Sequence, residues 1–87
     1  MEWDIRFLKK AEKQLYKLDS EAKLRIKKAI QEKLMINPKK YLIPLVGDKS
    51  VIYKFKVGEY RLLCKKDDDA FIILVIKVKH RKDVYKD

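Results

Sequence analysis

Cysteine and histidine occur once each, as Cys64 and His80. That excludes a disulfide framework, a Cys/His zinc site and a two-histidine acid–base pair within one chain. The longest apolar run is Ala70 to Ile76, far short of the ~20 residues a membrane span needs. Met1 leads straight into Glu2, Trp3 and Asp4, which is no signal peptide. These absences predict a soluble, cytoplasmic protein with no membrane partner, no bound metal and no cofactor. Uncharged polar residues are also scarce: Asn37, Gln14, Gln31, Ser20 and Ser50, with no Thr. An AT-rich genome would raise Asn along with Lys and Ile. Few amides among many charges is instead the bias of heat-adapted proteomes.

What is present is charge on a compact chain. The 87 residues leave room for one domain, spanning 1–87. Hydrophobic residues make up 47%, enough for a core and too many for a disordered basic tail. Lys and Arg number 23 against 13 acids, a net charge of +10, and the pI is near 9.7. Such an excess favours a polyanionic partner, nucleic acid or ribosome, over a surface that merely carries surplus lysine.

Periodicity divides the chain. Trp3, Ile5 and Phe7 alternate with Asp4 and Arg6, as in a strand with one buried face. Leu8, Ala11, Leu15 and Leu18 then form a helical stripe. Asp19-Ser20-Glu21 supplies cap candidates for a second helix with Ala22, Ile26, Ala29, Ile30 and Leu34 inward. Asn37-Pro38 stops that helix, and the short break predicts a helical hairpin. Residues 38–50 read as a loop. Val51 to Val57, Tyr60 to Lys66 and Ala70 to Val78 read as strands, separated by turns at Gly58-Glu59 and Asp67-Asp68-Asp69. The predicted fold class is α+β, in the order β-α-α-β-β-β. A helical hairpin packs on one face of a small, mostly antiparallel sheet.

The hairpin register carries chemistry. With a Gly58-Glu59 turn, Val57 pairs with Tyr60 and Lys56 lies opposite Arg61. With a Val57-Gly58 turn, Lys54 lies opposite Arg61. Either way Lys54, Lys56 and Arg61 share a face, whereas a three-residue loop would move Arg61 to the other side. Like charges directly opposite one another are destabilising, so the arrangement suggests a site. Counting by twos from Phe71 adds Ile73, Val75, Lys77, Lys79 and Arg81 as one face of the last strand. If the two faces coincide, the sheet presents a basic, phosphate-binding site, in which Arg61 and Arg81 can grip a phosphate bidentately. Tyr60 has the parity of a core residue; Tyr85, in a polar tail, is the better base-stacking candidate. RNA brings its own nucleophile, the 2′-OH. An enzyme need only position the strand, take one proton, neutralise developing charge and protonate the 5′-oxygen. A lysine is a poor base at its reference pKa of about 10.4, but neighbouring cations and desolvation lower an amine's pKa. A Lys/Arg cluster can therefore supply base and charge stabilisation together. The three consecutive aspartates fit a solvated hairpin tip better than a metal site, and Cys64 fits a small core residue.

Two segments, Tyr53-Lys54-Phe55-Lys56-Val57-Gly58-Glu59-Tyr60-Arg61-Leu62-Leu63 and Ile76-Lys77-Val78-Lys79-His80-Arg81-Lys82-Asp83-Val84-Tyr85, resemble the RelE branch of the RelE/ParE toxin superfamily. The likeness spans the chain in element order, and its helical half matches only in pattern. The resemblance implies a RelE-like fold and a type II toxin–antitoxin toxin. Such toxins enter the ribosomal A site and cut mRNA without metal, leaving a 2′,3′-cyclic phosphate and a 5′-hydroxyl. A cognate antitoxin holds them inactive in a hetero-oligomeric complex. By position, the resemblance implies base function and phosphate contact for Lys54 and Lys56, and transition-state stabilisation for Arg61. It implies phosphate binding or leaving-group protonation for Arg81, and base stacking for Tyr85. Lys77, Lys79, His80 and Lys82 are expected RNA contacts; some relatives use a histidine near position 80 as the acid. Two other readings use the same basic sheet. One is a ParE-like inhibitor of DNA gyrase that cuts no RNA. The other is a passive RNA-binding domain, whose affinity would fall steeply with salt.

Overall fold

The computed structural model describes residues 2–45 and 52–83. Strand β1 (Asp4–Phe7) leads into helix α1 (Lys9–Tyr16) and helix α2 (Ser20–Ala29), which continues as a π-helical turn over Ile30–Leu34. A short helix α3 (Pro38–Tyr41) and strand β2 (Ile43–Pro44) follow. Strands β3 (Tyr53–Val57), β4 (Tyr60–Asp67) and β5 (Ile72–His80) complete the sheet, before a 3₁₀ turn at Arg81–Asp83. The strand order is β1-β5-β4-β3-β2. β1 runs parallel to β5, and the remaining pairs are antiparallel.

Local chemistry explains the helical half. The Asp19 carboxylate accepts the Ala22 N–H at 2.8 Å and caps α2. Ile26, Ile30 and Leu34 recur every four residues, a spacing that drifts by about 40° per step in an α-helix. The π-helical turn, closed by Met35 N–H to Ile30 C=O at 2.9 Å, takes up that drift. All three side chains stay buried. With Ala11 they pack on one sheet face against Phe55, Val57, Leu62, Cys64, Ile73, Val75 and Val78. Leu8, expected in the α1 stripe, is 44% exposed. It lies at the strand–helix junction, where its N–H is held by Val75 C=O at 2.9 Å.

Three expectations are corrected. Residues 38–45 are not all loop. Pro38 starts α3, as its fixed φ and missing N–H permit, and Ile43 and Pro44 pair with Lys54 and Tyr53 as a fifth strand. Residues 46–51, including the expected strand start at Val51, lie outside the described residues. The last strand begins at Ile72 rather than Ala70, because the Asp67 carboxylate accepts N–H groups from Asp69 and Ala70 at 3.0 and 3.1 Å and bends the chain. Phe71 closes that turn at φ 55, its ring edge-on to Trp3 at 5.2 Å. Counting by twos along β5 also fails. Leu63 pairs with Lys77 but Cys64 with Val75, so Ile76 is an inserted bulge residue. Ile73 and Val75 therefore face the core, while Lys77 and Lys79 face the other way.

Among the described residues no charged side chain is buried, and no helix is long and apolar enough to cross a membrane.

Candidate functional site

The β3–β4 turn sets the site. Gly58 has φ 58 and Glu59 does not share that sign, which fits a type II′ turn with glycine first. The register is Val57 with Tyr60, Lys56 with Arg61 and Lys54 with Leu63. On the far side of β4, Arg61 pairs with Lys79 and Leu63 with Lys77. Two rows thus cross three strands: Lys56–Arg61–Lys79 and Lys54–Leu63–Lys77. They lie on the face opposite the helices. Leu63, 9% exposed, is the apolar centre of this cationic surface, and lysine stems can cover it while their ammonium groups reach water.

Arg61 is anchored by its own hairpin. Its Nη1 donates to the carbonyls of Gly58 and Tyr60, each at 2.8 Å. Both Nη1 hydrogens are committed, which fixes the guanidinium plane and leaves Nε and Nη2 for a phosphate.

The end of β5 meets the same turn. Arg81 N–H donates to Glu59 C=O at 2.7 Å, and the Arg81 guanidinium lies 3.9 Å from the Glu59 carboxylate. His80 is on the opposite parity, its ring edge-on to Tyr60 at 5.6 Å. Lys82 N–H donates to His80 Nδ1 at 3.2 Å. The ring proton is then on Nε2, which meets Glu59 Oε2 at 3.4 Å. The structure thus brings Lys54, Lys56, Arg61, Lys77 and Lys79 onto one face. It places Arg81 beside the turn and turns His80 away from the basic rows. Lys82 is exposed in the 3₁₀ turn. Tyr85 lies outside the described residues. Sequence reasoning missed Glu59, whose carboxylate faces both His80 and Arg81. A lone acid inside the segment Lys54–Arg61 was the available signal.

Burial pushes the Cys64 thiol up to about 12, and its Sγ lies 3.6 Å from Leu62 C=O. It is a core residue and no nucleophile. Among the described residues no group of three His, Cys, Asp or Glu side chains can hold a metal.

Residues 5–85 match the family described as the ParE toxin of type II toxin–antitoxin system, parDE. The chain belongs to this toxin family. Solved structures place it on the RelE side of the RelE/ParE superfamily. The toxin–antitoxin complex RelBE2 from Mycobacterium tuberculosis contains a chain 25% identical to it. That likeness has a TM-score of 0.85 and covers 93% of this chain and 100% of that one. A chain of the intact E. coli RelBE complex is 27% identical, with a TM-score of 0.71 and coverage of 90% and 95%. The archaeal RelE–RelB complex from Pyrococcus horikoshii OT3 shares the fold, at 23% identity, TM-score 0.74 and coverage of 93% and 97%. Comparison with curated proteins finds no match. In this toxin the sheet is the scaffold on which the basic rows are displayed.

Proposed function

We propose that this toxin is a ribosome-dependent endoribonuclease that cuts mRNA in the A site without metal, and that a cognate antitoxin binds and silences it. The observation that carries the reading is the Lys56–Arg61–Lys79 row. Three cations stand abreast on adjacent strands, an arrangement that stability alone disfavours and a phosphodiester repays. The 2′-hydroxyl oxygen attacks phosphorus as an amine of Lys54 or Lys56 takes its proton. The bond from phosphorus to the 5′-oxygen breaks, leaving a 2′,3′-cyclic phosphate, and Arg81 protonates or stabilises the departing oxygen. Arg61 neutralises charge on the non-bridging oxygens as it builds. Lys77, Lys79 and Lys82 contact the RNA backbone, His80 reaches the site only through Glu59, which it shares with Arg81, and Tyr85 stacks on a base. The antitoxin partner is supported by the RelB complexes of the similar toxins.

The match to a family described by ParE favours a second reading, inhibition of gyrase without RNA cleavage. One experiment separates them. The toxin is added to ribosomes paused on a defined message, and 5′ ends are mapped by primer extension. Cleavage within the A-site codon, lost in Arg61→Ala, is the expected result. Intact message together with blocked gyrase supercoiling establishes the second reading instead.

A further inference from the structure

A cleft of about 270 Å³ separates α2 from the β3–β4 hairpin. Its walls carry Arg25, Lys28 and Lys33 from the helical segment and Lys56 from β3, against a single acid, Glu32. Its floor is the hairpin turn. A Cβ at Gly58 would lie 3.5 Å from an Arg25 guanidinium nitrogen, so the arginine spans the gap between helix and turn. Among the described residues Arg25 has one weak tie, to Glu21 at 3.4 Å with both side chains largely exposed, which a phosphate can replace at little cost. Lys33 Nζ rests 5.7 Å from the Tyr41 ring centre.

Lys56 lines this cleft from the β3 edge and, by register, stands in the basic row on the other face. Among the described residues β2 pairs only with Tyr53 and Lys54 and does not reach Lys56. A strand lying across the Lys56–Arg61–Lys79 row and leaving over the β3 edge meets Arg25 and Lys28 next. The lysines of α1 and its C-cap make another basic surface, Lys9, Lys10, Lys13 and Lys17. That surface comes from one helix and shares no residue with the rows.

We propose that the α2–hairpin cleft is a second backbone-phosphate site, which holds the message beyond the scissile linkage. This rests on the nuclease reading and sets the direction in which the RNA lies. The probe is a fluorescent single-stranded 2′-O-methyl oligonucleotide, which lacks the attacking hydroxyl and is not cut. Its binding to the full chain is followed by anisotropy as a function of salt. The triple variant Arg25→Gln, Lys28→Gln, Lys33→Gln is expected to bind roughly tenfold to hundredfold more weakly. Its slope of log K against log salt should shrink by about 1.4 to 2, the loss of two or three single-strand phosphate contacts. The variant Lys9→Gln, Lys13→Gln, Lys17→Gln removes the same charge and should lose far less. Equal losses in the two variants would reduce the effect to net charge and overturn the site. So would unchanged binding in the cleft variant when the wild-type chain binds and cuts. A loss confined to vacant ribosomes assigns the cleft to ribosomal RNA and overturns the message assignment. Failure of the wild-type chain to bind or cut any RNA removes the nuclease reading itself, a result distinct from failure of the cleft alone.

Discussion

Arg61 ties down its own turn and, on the proposed reading, meets phosphate with the same guanidinium, and a substitution can separate the two. Lysine at this position keeps the charge but cannot bridge the Gly58 and Tyr60 carbonyls while presenting a fork to phosphate. Arg61→Ala should lower single-turnover cleavage by about 10²–10³-fold, the usual effect of deleting a transition-state donor. Arg61→Lys should fall between that variant and the wild type. Chemical denaturation should show no more than about 1.5 kcal/mol lost in either, since the lost hydrogen bonds are partly exposed. Cys64 makes the opposite case. Its thiol is raised to about 12 by burial, above the value near 8.5 of an unfolded chain. The unfolded state therefore loses its proton first as pH rises. Stability tied to this group is complete below about 8.5 and declines between about 8.5 and 12. Thermal melts across that range should fall more steeply for the wild type than for Cys64→Ala. A thiol reagent at neutral pH should label the native chain only as fast as it opens.

At the scale of elements, the turn at Gly58 holds the site together. It fixes the register that puts Lys56 opposite Arg61, and its φ of 58 penalises any side chain. Gly58→Ala should destabilise the fold by about 1–2 kcal/mol in urea unfolding. The added methyl meets Arg25 only at ordinary contact distance, so the loss comes from the backbone. The hairpin was legible in the sequence because glycine marks the turn and strict alternation marks the faces, but the choice of Gly58-Glu59 over Val57-Gly58 came only with the strand pairing. The Asp19 cap and the buried positions of α2 were legible for the same reason, local chemistry agreeing with period. The bulge at Ile76 was not. An apolar run from Ile72 to Ile76 has no alternation to break, so the parity change becomes visible only in the pairing with Leu63 and Cys64. The short strand β2 was hidden too, because Pro44 argues against a strand except at a sheet edge, which is where it lies.

Over the whole molecule, ten surplus positive charges sit on a surface with no buried charge among the described residues. Self-repulsion of this size weakens the compact state and is screened by salt. The unfolding midpoint should therefore rise between about 0.02 and 0.3 M NaCl, while affinity for RNA falls over the same range. A midpoint that falls with salt would mean that attractive ion pairs outweigh the repulsion. The sign of the net charge was plain from composition. Which cations share a face depended on pairings between distant segments, and Glu59 beside His80 and Arg81 could be seen only once the chain was folded.

The parallel pairing of β1 with β5 joins residues from the two ends of the chain, Asp4 to Ile72 and Phe7 to Val75. Contacts of such sequence separation form late, since the intervening loop must close first. During synthesis β1 waits without its neighbour until β5 has been made. A chain stopped before β5 has β1 unpaired and lacks Lys77 and Lys79, one end of each basic row.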